Sequence, residues 1–188
     1  MNNTKHLGKS DGFTLIEIIM VIIVIGLIAS FIYSYTVPRY RERSYLTRST
    51  AELNTMAGAL RLYVAKYNDY PDDVNRGIPP GVEEFLQSQQ GNGNWPNAPW
   101  PGSVFDYDNW PPDSNGPQHT YQISIRFCNA GDTPTCKKNF PKEPWVTSSW
   151  DSNSSVYYCL KGSCRAHQTK PMNHPGYCIN CTGKSQFY

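Results

Sequence analysis

Gly12-Phe13-Thr14-Leu15-Ile16-Glu17 joins a short polar leader to a long apolar run, with a carboxylate five residues past the glycine. An acidic side chain at the centre of a membrane helix costs roughly 2.5–3.5 kcal/mol. A glutamate at this junction is therefore expected to meet a partner once it is in lipid. From Ile18 to Pro38 there is no Asp, Glu, Lys or Arg over 21 residues. At about 1.5 Å per helical residue this stretch spans roughly 30 Å, one hydrocarbon thickness. Ile18 to Val37 is the expected transmembrane segment, and Arg39, Arg41, Glu42 and Arg43 end it abruptly. A secretory signal has a shorter apolar region, with its small-residue cleavage site after it. Here the small residue, Gly12, comes before the run, so a cut at Gly12 leaves the hydrophobic segment on the mature chain.

A leader ending in Gly12, then Phe13-Thr14-Leu15-Ile16-Glu17 and an apolar helix, resembles the prepilin-type processing site of the type IV pilin and pseudopilin family. The resemblance covers about Lys5 to Val37. It implies cleavage between Gly12 and Phe13 by a prepilin peptidase and N-methylation of the new amino terminus at Phe13. It also implies an assembly role for Glu17, as acceptor for the methylated Phe13 ammonium of an adjacent protomer. In low dielectric such a pair attracts far more strongly than in water, and an unpaired charge is penalised, so the contact sets register.

The charge flanks point the other way. The positive-inside rule favours Lys and Arg on the cytoplasmic side, yet the leader carries Lys5 and Lys9 against Arg39, Arg41, Arg43 and Arg48 beyond the span. Processing of the leader at the cytoplasmic face, and six cysteines suited to an oxidising exterior, outweigh that count. The expected location is the cytoplasmic membrane, single-pass with the C-terminal domain outside, then an extracellular pilus or a periplasmic or wall-spanning pseudopilus.

Residues 39–70 read as an amphipathic continuation of the helix. Leu46, Leu53, Leu60 and Tyr67 recur every seven residues, and Met56, Ala57, Tyr63 and Val64 fill the same stripe. Such a face needs cover, here from intrachain packing. Pro38 stands where the two halves meet and is expected to kink or locally melt the helix. Gly26 and Ala29-Ser30 offer small surfaces for close helix approach. Tyr70-Pro71 ends the helix, because the residue before proline leaves helical geometry.

Residues 71–188 form the expected globular domain. Val82 to Gln89 reads as a short helix. Gly91 to Pro117 reads as an irregular loop, rich in Gly, Pro and Asn, with Trp95, Trp100 and Trp110. These tryptophans serve either as anchors pinning the loop or as an exposed contact surface for a ligand. Tyr121, Ile123, Ile125 and Phe127 alternate with Gln122, Ser124 and Arg126 as a strand, and Val156 to Leu160 as a second. Lys161-Gly162 is read as a turn to a partner strand near Cys164. The fold class is α+β: a long N-terminal helix, half membrane-spanning and half amphipathic, packed on a small antiparallel sheet.

Cys128, Cys136, Cys159, Cys164, Cys178 and Cys181 all fall in the C-terminal region. Three disulfides are expected in an exported domain, with sequence-adjacent pairing. The rival is a zinc site from Cys159-x4-Cys164 and Cys178-x2-Cys181. Asp106, Asp108, Asn109 and Asp113 gather oxygen donors of the kind calcium needs, against the simpler reading of a solvated turn-rich loop.

No phosphate loop, paired-carboxylate arrangement or nucleophile signature stands out, so an enzyme is not expected. The formal net charge of +2 does not suit a polyanion partner. The expected function is a structural subunit of a type IV pilus or pilus-like filament. The alternatives are a pseudopilin of a type II secretion or DNA-uptake machine, and a minor pilin acting as adhesin. Expected partners are identical or related subunits, prepilin peptidase, the membrane, and the pilus or secretion assembly machinery.

Overall fold

A computed structural model describes residues 12–90, 94–128, 136–169 and 174–183. Helix α1 spans Leu15–Tyr67 and α2 spans Glu83–Gln90. The strands are β1 (Val104–Trp110), β2 (Thr120–Arg126), β3 (Ser155–Lys161) and β4 (Gly176–Cys178), with a short 3-10 helix at Cys136–Asn139. The chain divides into two compact units between Arg41 and Glu42.

The first unit holds the apolar part of α1. Its stretch is long and apolar enough to cross a membrane. The chain stays helical through Pro38, which therefore does not melt the helix. The large apolar side chains from Phe13 to Tyr35 are exposed all round the helix, the pattern of a helix whose cover lies outside its own chain.

The second unit begins at Glu42. Leu53, Met56, Ala57, Ala59 and Leu60 of α1 are fully buried against Phe105 and Tyr107 of β1, Ile123 and Ile125 of β2, and Val156 and Tyr158 of β3. The predicted stripe is thus the packed face, although Tyr67 at its end stays exposed. Asn68 ends the helix in the left-handed region (φ 58°), its N–H donating to the Val64 carbonyl at 2.7 Å.

The sheet order is β1-β2-β3-β4. β1 and β2 pair antiparallel with Tyr107 opposite Ile123, and β2 and β3 pair antiparallel with Ile123 opposite Tyr158. β4 joins β3 in parallel, Val156 opposite Tyr177. The sheet is therefore mixed, a correction to the antiparallel expectation. No strand forms at Cys164. Gly162 turns the chain at φ +93°, where a Cβ would collide with the His119 carbonyl, and the chain crosses back over the sheet before β4.

A second correction concerns Gly91 to Pro117, read as irregular throughout. Its Val104–Trp110 portion is strand β1. Phe105 and Tyr107 face the helix, while Asp106 and Asp108 face the other way and are buried too. Two carboxylates at buried positions conceal a strand from a hydrophobicity reading.

The sheet face away from the helix is a polar layer closed by residues 163–168. The Arg126 guanidinium reaches Asp106 Oδ2 at 3.3 Å and Asp108 Oδ1 at 3.2 Å, and donates to the Ala166 carbonyl at 2.7 Å. Gln122 donates to Asp108 Oδ2 and to the Arg165 carbonyl, and accepts the Arg165 N–H. Arg165, 2% exposed, lies over the Trp110 ring and pairs with Asp113 at 3.2 Å. Buried polar groups persist where their hydrogen bonds are made, and the charged and amide groups of this layer make them with one another.

Candidate functional site

Residues 12–14 precede the helix, and α1 starts at Leu15. A helix start leaves four backbone N–H groups without intrahelical acceptors. Thr14 and Glu17 resolve part of this reciprocally. Glu17 Oε2 accepts the Thr14 N–H at 2.9 Å and the Thr14 hydroxyl at 2.7 Å, while the Glu17 N–H donates to Thr14 Oγ1 at 3.4 Å. This is a capping box with Thr14 at the N-cap and Glu17 three residues in. The carboxylate also lies where the helix dipole favours negative charge. Thr14-x-x-Glu17 is a capping signature in the sequence itself, so Glu17 has a local hydrogen-bonding role besides its charge.

Glu17 is the only charged residue between Phe13 and Pro38. Around it Phe13 is 84% exposed, Leu15 80% and Ile16 69%. A Cβ placed on Gly26 would meet nothing within 4 Å. The helix start therefore presents an apolar surface with one carboxylate, and that carboxylate has more acceptor positions than Thr14 uses. Such a surface can accept a cation from a second apolar helix.

The other predicted site residues are placed as follows. Cys128 pairs with Cys136, Cys159 with Cys164 and Cys178 with Cys181. The four sulfurs read as a zinc set are thus held in two disulfides. Asp106, Asp108 and Asn109 lie on β1, not in a loop. Asp106 and Asp108 face the Arg126 guanidinium, Asp113 faces Arg165, and Asn109 donates to the Pro71 carbonyl and contacts His119. Each of the three carboxylates thus already faces a guanidinium, with which a calcium ion would have to compete.

Trp100 and Trp110 are 2% and 5% exposed, which removes both from an exposed ligand surface. Trp100 packs on Phe127 with ring centroids 5.4 Å apart, and its indole N–H donates to Glu42 Oε2 at 3.1 Å. Glu42 also accepts the Lys142 N–H at 3.3 Å. The tryptophan loop is thereby anchored to the start of the second unit, with half-buried Trp95 packed at its edge.

Asp73 neighbours the carboxylates of β1. Burial and the Asp108 charge push its carboxyl up to about 6, against the Asn109 N–H that donates to it. His167 is pushed down to about 4, first by burial and then by the Arg126 charge. Neither shift was legible in the sequence, because both arise from burial and from charges of the polar layer.

Comparison with known proteins agrees with the helix start. The family model for the prokaryotic N-terminal methylation motif matches residues 7–33. The type II secretion system core protein G of Pseudomonas aeruginosa is 26% identical over 127 residues, covering 61% of this chain and 83% of that protein. No solved structure matches the chain. A methylation motif at the head of a long helix packed on a four-stranded sheet is the arrangement that the resemblance to type IV pilins and pseudopilins implies.

Proposed function

We propose that the chain is a structural subunit of a pilus-like filament that polymerises through the apolar part of α1. One observation carries this reading: an apolar helix surface, uncovered by its own chain, with a single carboxylate at its head. A prepilin peptidase cuts between Gly12 and Phe13, and the new Phe13 amine is methylated. Glu17 keeps its bonds to Thr14 and accepts the Phe13 ammonium of the next subunit. Before assembly the cytoplasmic membrane covers Ile18 to Val37, with the folded domain outside; afterwards neighbouring helices do.

Of the two filament types, the secretion pseudopilus has a specific observation behind it, the similarity to the Pseudomonas aeruginosa protein. In that reading the filament is a short rod of a type II secretion machine, and related subunits and that machine are its partners.

Mass spectrometry of membranes and sheared filaments tests the proposal. The expected species begins with N-methylated Phe13. Glu17→Gln is expected to yield processed, membrane-bound protein and few or no filaments. Normal filament yield from that variant would overturn the assembly role of Glu17. Recovery of an uncut chain beginning at Met1 in filaments would overturn the processing.

A further inference from the structure

Arg48 and Glu52 stand one turn apart on α1, and with Ile78, Asn94, Trp95 and Asn97 they line an open pocket of about 780 Å³. Two polar atoms in its wall lack partners. Glu52 Oε1 accepts the Arg48 Nε–H at 2.7 Å, but Glu52 Oε2 is buried and accepts no hydrogen bond among the described residues. The Trp95 indole N–H is buried and donates none. A buried donor or acceptor left alone carries its full desolvation cost, so such groups are normally paired. Here an acceptor and a donor stand unused in one pocket without bonding to each other. A group that serves both must itself donate and accept, as a hydroxyl or an amide does.

We propose that this pocket binds a neutral saccharide, of which one hydroxyl or acetamido group donates to Glu52 Oε2 and accepts from the Trp95 indole. The pocket is far larger than the ~30 Å³ that one water takes. It falls within the range of about 300–1,000 Å³ for small-molecule sites, which are mostly apolar. This one is not: Arg48, Glu52, Asn94 and Asn97 line it beside Trp95 and Ile78. A wall of that kind suits a polyhydroxylated ligand, with the indole and Ile78 as apolar surface for the C–H groups of a sugar ring. The ligand is neutral because Arg48 and Glu52 already pair, which leaves no net charge to draw an ion. The Arg48 side chain is 56% exposed against 14% for Glu52. An exposed pair one turn apart is weak, so the guanidinium swings onto the ligand and opens the way to Oε2.

The full-length, disulfide-intact chain, isotope-labelled at the tryptophan indole nitrogens and held in a detergent without a sugar headgroup, tests the site by magnetic resonance. The probes are glucose, galactose and N-acetylglucosamine, with glycerol and an N-acetylated alanine dipeptide as controls. Trp95→Phe identifies the Trp95 signal among the chain's five tryptophans. The expected result is a saturable shift of that signal with at least one saccharide and none with glycerol or the peptide. Glu52→Met has similar length and no acceptor oxygen. It is expected to weaken saccharide binding roughly tenfold, the loss of one hydrogen bond to a charged group. The thermal midpoint of the free variant is expected to hold or rise, because an unsatisfied oxygen is removed. A Trp95 signal that no saccharide moves, the result for trapped water only, overturns the proposal. So does a shift with the peptide alone, or a saccharide affinity unchanged in Glu52→Met.

Discussion

Arg126 Nη2 reaches Asp108 Oδ1 at 3.2 Å across two neighbouring strands, with the two side chains 9% and 5% exposed. The contact ties β1 to β2 on the face that the helix does not cover. Asp106 lies on the same guanidinium at 3.3 Å. Removing one partner of a buried ion pair leaves an uncompensated charge and costs about 3–5 kcal/mol. Arg126→Met leaves two carboxylates facing each other and is expected at or beyond the top of that range. Asp108→Asn leaves Asp106 in place and is expected to cost less. Urea unfolding of the chain with disulfides intact checks the order.

The Thr14–Glu17 cap separates local from intersubunit roles. Glutamine can take the place of glutamate in a capping box, so Glu17→Gln is expected to keep the helix start while removing the charge. Thr14→Ala keeps the charge and loses the cap, at about 1 kcal/mol. Amide exchange in micelles should show faster exchange at residues 15–17 in Thr14→Ala and little change in Glu17→Gln. Filament yield should follow the opposite order.

Asp73 gives stability a slope with pH. Its folded carboxyl titrates near 6 against an ordinary 3.8, so the folded state binds more protons than the unfolded state between these values. Stability from this group is present below about 4 and is lost as pH rises through about 6. Asp73→Asn removes that loss. The variant is expected to unfold at a higher temperature than the wild type at pH 7, with the gap closing at pH 4. Thermal scans at both pH values provide the check.

Ser49 is fully buried on α1, and its hydroxyl has no hydrogen-bond partner among the described residues. An unsatisfied buried hydroxyl costs about 1–3 kcal/mol, and alanine is the better helix former. Ser49→Ala is expected to stabilise the second unit by about 1 kcal/mol in denaturant unfolding.

Periodicity was legible where one face is apolar and the other wet. Leu53, Met56, Ala57 and Leu60 announced the packed face of α1, and Ile123 and Ile125 announced β2. β1 was hidden because Asp106 and Asp108 are buried through Arg126, a partner 18 to 20 residues away in sequence. β4 was hidden because a three-residue parallel strand depends on where the chain returns, which no local pattern encodes. At the helix head, the charge pattern and the methylation motif agree on the same residues. The cap lay in that same stretch, but Glu17 invites a reading through its charge before its hydrogen bonds.

The sheet has two edges, and both are blunted. β1 is bridged along its outer side by Val74 at Tyr107, and the Arg76 N–H donates to Asp106 there. β4 offers only three residues. Strand edges of this kind are poor templates for another chain. On the proposed filament reading, the subunit has its β-structure shut against runaway pairing. Growth by strand addition, the route to amyloid, is discouraged, which leaves the reversible route between helices.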